Sequence, residues 1–184
     1  GAQVVLNVGM IRSDKGQRFL VEAAEELIRR GHDCYFVIVG RAAANRDVEV
    51  RLREQVRKAG LESRVLLTGY RDDIPLFMAM ADVYVNASTG VEGQSQTTPQ
   101  AFATRVPVVG TRVGGIPDLV RDGENGLLVE PKNAGQLAAA IGRLLQDEPL
   151  RRRLAENGYQ LAQRELTFER TMEKILEVYR KALE

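Results

Sequence analysis

The residues best suited to chemistry lie in one polar stretch and in one lysine far upstream of it. Ser88-Thr89-Gly90-Val91-Glu92-Gly93-Gln94-Ser95-Gln96-Thr97-Thr98 is polar, carries glycine, and runs into Pro99 and a helical pattern. A helix start offers free N–H groups and a partial positive charge, which suits a phosphate. Thr97 or Thr98 before Pro99 marks that start, and the hydroxyls could equally serve only as caps. Lys15 precedes another helical stretch, where it is either a cation facing an anionic ligand or a solvated surface charge. Glu92 is either a ligand contact or an anion that the helix dipole favours. Gly114-Gly115 reads as a flexible turn or as a close backbone approach. The single His32 and single Cys34 cannot form an internal disulfide, and they give an N/S metal site too few ligands. His32 reads as a loop residue and Cys34 as core.

The elements that must hold these residues alternate along the chain. Apolar, β-branched runs occur at 4–8, 35–39, 64–68, 83–86, 106–110 and 126–129. Helical patterns separate them: 17–30 ending on Gly31, 47–59 ending on Gly60, 74–80, 97–103 and 134–145. A turn covers 116–120. Pro149 suits the first position of a helix reaching Arg164, and Thr167 caps a last helix running to Leu183. Tyr159, Phe168 and Tyr179 read as packing residues. Six near-continuous apolar strands joined by helices imply an α/β fold. The expected form is a Rossmann-like, doubly wound, parallel six-stranded sheet with helices on both faces and right-handed crossovers. Ligands of such sheets sit at the carboxyl ends of the strands, at the topological switch point. The segments placed there are 9–16, 40–41, 69–72, 87–98 and 111–117.

Composition narrows the class. With 184 residues the chain suffices for one domain, and a chain of this size buries roughly 70% of its unfolded surface. The charge balance, 26 basic against 25 acidic residues, gives no whole-molecule reason to bind nucleic acid or a membrane. No apolar run approaches a membrane span. Cysteine usage fits a reducing compartment, so a cytoplasmic setting is expected, extending at most to the cytoplasmic face of the membrane. The chain opens Gly1-Ala2-Gln3 directly into a strand, which suggests that a domain precedes it.

Several segments, in this order and spacing, resemble a known family. They are Val8-Gly9-Met10-Ile11-Arg12-Ser13-Asp14-Lys15-Gly16, Leu67-Thr68-Gly69-Tyr70, Glu92-Gly93 through Gln100-Ala101, residues 107–120 (Pro107 to Val120) and residues 122–129 (Asp122 to Val129). The chain resembles the C-terminal domain of the retaining GT-B fold glycosyltransferases of group 1 (family 4), over nearly its whole length.

The resemblance implies roles. Lys15 corresponds to the lysine on the donor's phosphates. Glu92 corresponds to the first carboxylate of a paired motif, the one that approaches the donor sugar. Those two carry the implied catalytic roles. Gln100 takes the place of the second carboxylate and would meet the ribose, because an amide can still donate and accept. Backbone N–H groups around Gln94, Ser95, Gln96 and Thr97, next to Gly93, would face the diphosphate. Gly9 and the stretch Gly69-Tyr70-Arg71 would lie beside the nucleotide. The sequence departs from the family pattern at Met10, where arginine is usual and for which Arg12 could substitute. It departs also at Gln100, at Arg105 where glycine is common, and at Gln94-Ser95.

The implied donor is a nucleoside-diphosphate sugar of UDP or GDP type, with no other cofactor and no metal. A hexosyl-type sugar would pass to a glycan or lipid-linked acceptor, and any membrane contact would come through that acceptor. The remaining groups would come from an N-terminal acceptor domain, toward which the helix at 167–184 would pack. The whole protein would be the enzyme, and this domain alone inactive. The alternatives are half of a nucleotide-sugar epimerase and a non-catalytic nucleotide-binding or interaction domain.

Overall fold

The computed structural model describes residues 1–42, 46–90, 92–93 and 95–183. Gln94, expected near the diphosphate, lies outside them. The strands are β1 (Gln3–Val8), β2 (Cys34–Val39), β3 (Val65–Gly69), β4 (Val83–Asn86), β5 (Val108–Thr111) and β6 (Gly126–Val129). The helices are α1 (Gln17–Arg29), α2 (Asp47–Lys58), α3 (Ile74–Met80), α4 (Thr97–Ala103), α5 (Ile116–Leu119), α6 (Ala134–Gln146), α7 (Glu148–Glu165) and α8 (Phe168–Leu183). All strand pairs are parallel, in the order β3-β2-β1-β4-β5-β6. The chain reverses its direction of sheet building between β1 and β4. A crevice opens there at the carboxyl ends.

Strand alternation sends one set of side chains to each face. Val5, Phe36, Ile38, Val83 and Val85 pack under α1, α2 and α6, where Leu20, Ala24, Leu52, Leu137 and Ile141 cover them. Leu6, Val39, Tyr84 and Val108 pack under α3, α4, α5 and the far end of α7 through Met78, Phe102, Ile116 and Leu161. The α1 stripe Leu20, Ala23, Ala24, Leu27 follows helical spacing, and all four are buried. Helix α1 stops as expected at Gly31. Its N–H bonds Ile28 O at 3.0 Å, and the His32 N–H bonds Leu27 O at 3.1 Å.

Several details differ from the sequence expectations. Strand β5 starts at Val108 rather than Val106, because the Val106 N–H closes α4 on Ala101 O and Pro107 has no N–H to pair. A 3-10 turn, Ser13–Lys15, precedes α1, with the Lys15 N–H on Arg12 O at 3.1 Å. The turn at 116–120 contains the short helix α5. Helix α7 begins at Glu148, capped by Asp147, which accepts from the Leu150 N–H at 2.9 Å, so Pro149 is its second residue.

Helix α8 stands apart. Thr167 caps it as expected, accepting from the Arg170 N–H at 3.3 Å. Yet it buries no residue, and Phe168 and Tyr179, expected as packing residues, are exposed along with Leu176 and Val178. Among the described residues no helix is long and apolar enough to cross a membrane.

Candidate functional site

Lys15 ends the 3-10 turn after β1, and Glu92 follows β4, so both stand at the switch point. Lys15 Nζ donates to Glu92 Oε2 at 2.6 Å, and both side chains are largely covered. Ser88 Oγ also lies 2.6 Å from Oε2. A charge-assisted pair so sheltered is well defined in geometry.

Backbone packing explains this meeting of distant segments. Gly16 has φ +69°, and a Cβ there would lie 1.8 Å from Ala87 O. Only glycine lets the Lys15 turn press onto the exit of β4. The Thr89 N–H then bonds Asp14 O at 2.7 Å. Gly114 plays the same part on the other side. With φ +52°, a Cβ would sit 2.0 Å from Glu92 O, and the Gly115 N–H bonds that oxygen at 3.0 Å. The glycine pair is thus a seat for the Glu92 backbone.

A second group lines a cleft of ≈ 580 Å³ beside the carboxyl ends of β1, β2 and β3, formed by Gly9, Met10, Gly40, Arg41, Tyr70 and Arg71 among others. Tyr70 is 68% exposed, with the Arg41 guanidinium 5.4 Å from its ring centroid. An exposed aromatic face beside a guanidinium can stack a planar ring. Arg71 is fixed by two hydrogen bonds to Asp73, at 2.8 and 2.6 Å, which hold the Asp73 carboxyl below its usual range.

Helix α4 starts at Thr97 as expected, but its capping differs from the alternative the hydroxyls offered. Neither Thr97 nor Thr98 is the cap. Ser95, buried, accepts from the Thr98 N–H at 3.3 Å. Thr97 Oγ1 is 3.2 Å from Ser95 Oγ and meets the Tyr84 hydroxyl, which burial keeps protonated. Gly93, Gln96 and Gln100 are exposed. Arg12 does not join Lys15 and Glu92: its guanidinium holds both oxygens of Asp14, at 2.9 and 2.7 Å.

Residues 2–147 match the family Glycosyl transferases group 1. The chain belongs to that family. Alpha-D-kanosaminyltransferase of Streptomyces kanamyceticus is 34% identical over 179 residues, 96% of this chain and 45% of that protein. The C-terminal domain of the group 1 family glycosyl transferase LpcC from Francisella tularensis superposes with TM-score 0.83 at 31% identity, covering 90% of this chain and 87% of that one. HepE from Anabaena, solved with UDP and with UDP-glucose, gives TM-score 0.92 at 28% identity, covering 98% of this chain and 49% of that one. The chain spans about half the length of the curated relatives it matches.

As a group 1 glycosyl transferase domain, the chain has polar residues at its site to which the sequence reading gave no individual role, although it placed the segments of Ser88 and Thr111 at the carboxyl edge of the sheet. Ser88, Asn86 and Thr111 are buried beneath Glu92, and Tyr84 anchors the start of α4. Their signal was position: polar residues ending an apolar strand at the sheet's carboxyl edge. Distinguishing them from plain strand ends requires the fold.

Proposed function

We propose that this chain is the donor-binding half of a retaining glycosyltransferase that moves a hexosyl-type sugar from a nucleoside diphosphate to a glycan or lipid-linked acceptor. The observation that carries the proposal is the Lys15–Glu92 pair at 2.6 Å over the β1–β4 crevice. One cation and one carboxylate there match the two ends of a sugar diphosphate.

In transfer, the bond from the anomeric carbon to the diphosphate oxygen breaks, and its electron pair leaves with the diphosphate. A new bond forms from an acceptor hydroxyl oxygen, whose proton passes to the leaving diphosphate oxygen. Lys15 faces the growing negative charge on the leaving group, which is preorganised electrostatic stabilisation. Glu92 accepts hydrogen bonds from sugar hydroxyls, which orients the ring. Tyr70 and Arg41 flank the base, with Gly9 and Arg71 on the walls of that cleft. The backbone N–H groups of Gly93, Ser95, Gln96 and Thr97 face the diphosphate, and Gln100 meets the ribose. The UDP complexes of HepE favour UDP over GDP. The acceptor binds to a further domain of the whole protein, and the uncovered apolar side of α8 packs against that domain.

The epimerase alternative asks for a histidine or further carboxylates in this half. His32 lies beside Gly142 at the amino edge of the sheet, remote from the crevice.

The test is a thermal-shift panel with UDP, GDP, ADP and CMP, each with and without sugars. A ligand at a hundred times its Kd adds about 2.7 kcal/mol, a readable shift. One diphosphate standing out supports the donor role. A flat panel on both this domain and the whole protein contradicts it.

A further inference from the structure

Beneath Glu92 runs a line of buried polar side chains that phosphate and sugar contact do not by themselves require. Asn86, Ser88 and Thr111 are 6%, 2% and 3% exposed, at the carboxyl ends of β4 and β5. A buried hydroxyl without a partner is costly. Each of these instead leads toward Glu92. Thr111 Oγ1 donates to Ser88 O at 2.6 Å. The Ser88 N–H meets Asn86 Oδ1 at 3.4 Å. Ser88 Oγ lies 2.6 Å from Glu92 Oε2 and 3.0 Å from Asn86 Oδ1. Both are acceptors and the hydroxyl has one proton, so the nearer, charged oxygen takes it.

The contacts of the Glu92 carboxylate are one-sided. Lys15 and Ser88 both bond Oε2, and Oε1 has no partner among the described residues. The Glu92 backbone is fixed separately through the Gly115 N–H.

We propose that Ser88, held in place by Thr111, is the positioning residue for Glu92. The proposal rests on the donor roles of Lys15 and Glu92. When Lys15 turns to the diphosphate, Oε2 loses its cation. The Ser88 hydroxyl then remains as its partner, holds the carboxylate's rotamer, and leaves Oε1 directed at a sugar hydroxyl. The sequence neighbour Thr89 ties the same strand exit to the Lys15 turn, so the two donor contacts share one support.

The test is calorimetry with UDP and with UDP-glucose on four proteins: wild type, Ser88→Ala, Glu92→Ala and the double variant. A crystal structure of Ser88→Ala accompanies it. Removing a hydrogen bond to a charged group predicts about tenfold weaker UDP-glucose binding with UDP unchanged. In the Glu92→Ala background, Ser88→Ala should cost nothing more. Thr111→Val should act in the same direction, more weakly. Equal loss for both ligands, or the same loss without Glu92, would overturn the proposal by showing a general structural role. So would a Ser88→Ala structure with UDP bound, Lys15 turned to the diphosphate and Glu92 in its original rotamer. A wild type that binds UDP and UDP-glucose equally would instead contradict the sugar contact of Glu92, and this proposal with it.

Discussion

Lys15 and Glu92, 77 residues apart in sequence, are joined in the free chain by a hydrogen-bonded ion pair at 2.6 Å. Each neutralises the other until a ligand arrives with its own anion and its own hydroxyls. On the proposed reading a donor exchanges one ion pair for a phosphate contact and a sugar contact, while bare diphosphate offers only the first.

Lys15→Ala should weaken UDP binding by about 10- to 100-fold, the range for a hydrogen bond to a charged group. Uridine, without phosphates, should bind the variant as it binds wild type. Calorimetry with both ligands checks this, and equal losses would remove Lys15 from the phosphate. In the whole enzyme the same change should slow transfer by a barrier of about 3 kcal/mol.

Gly114→Ala places a methyl carbon 2.0 Å from Glu92 O on a backbone with φ +52°. The left-handed strain alone costs of order 1 kcal/mol, and the clash adds to it. Expected is a lower melting temperature together with weaker UDP-glucose binding, because the Glu92 segment must shift. Full donor affinity in a merely destabilised variant would show that the glycine pair does not seat that segment.

Arg105 stands at φ +55°, pairs with Glu156 at 3.0 Å, and lies 3.5 Å over the Tyr159 ring. Glycine relieves the backbone and loses the contacts, whereas alanine keeps the strain and loses them too. Arg105→Gly should therefore melt above Arg105→Ala, by the few degrees that about 1 kcal/mol represents. The reverse order would mean that the left-handed position is unstrained.

Burial pushes the Cys34 thiol from its ordinary 9.0 to about 11, with Arg64 opposing and Asp33 adding to the rise. The unfolded chain therefore releases this proton first. Between pH 9 and 11 the unfolded state binds fewer protons, so stability falls as pH rises through that window. The loss is on the order of 2 kcal/mol at its full extent. Denaturant melts from pH 7 to 11 should show a shallower fall in Cys34→Ala than in wild type, the remainder near pH 10 to 11 coming from buried Tyr84, whose hydroxyl burial also pushes up.

Much of this was legible in the residues. Near-continuous apolar strands and helical stripes announced a covered parallel sheet, and Gly31 stopped α1 where its position indicated. Lys15 and Glu92 were named from motif position, yet nothing in the sequence says that they touch. That contact follows from Gly16 lying on Ala87 and Gly114 lying on Glu92, which are facts of tertiary packing. Thr97 opens α4 where the sequence placed it, but neither threonine caps it, because Ser, Thr and neighbouring polar residues compete as caps on equal local terms. The Tyr84 hydroxyl, arriving from β4, occupies Thr97, Gln96 stands at the cap position without a side-chain bond, and Ser95 accepts from the Thr98 N–H. Arg12, able on paper to replace the arginine missing at position 10, is bound by Asp14 two residues on.

The most direct measurement is the affinity of Glu92→Gln for UDP and for UDP-glucose beside wild type. The change removes the charge and keeps the shape. Freed from its partner, Lys15 should hold UDP at least as tightly as before, while UDP-glucose should bind about tenfold more weakly, as expected for losing a charged acceptor. Unchanged UDP-glucose affinity, or equal weakening of both ligands, would contradict the assignment of the Lys15–Glu92 pair to the two ends of a sugar donor.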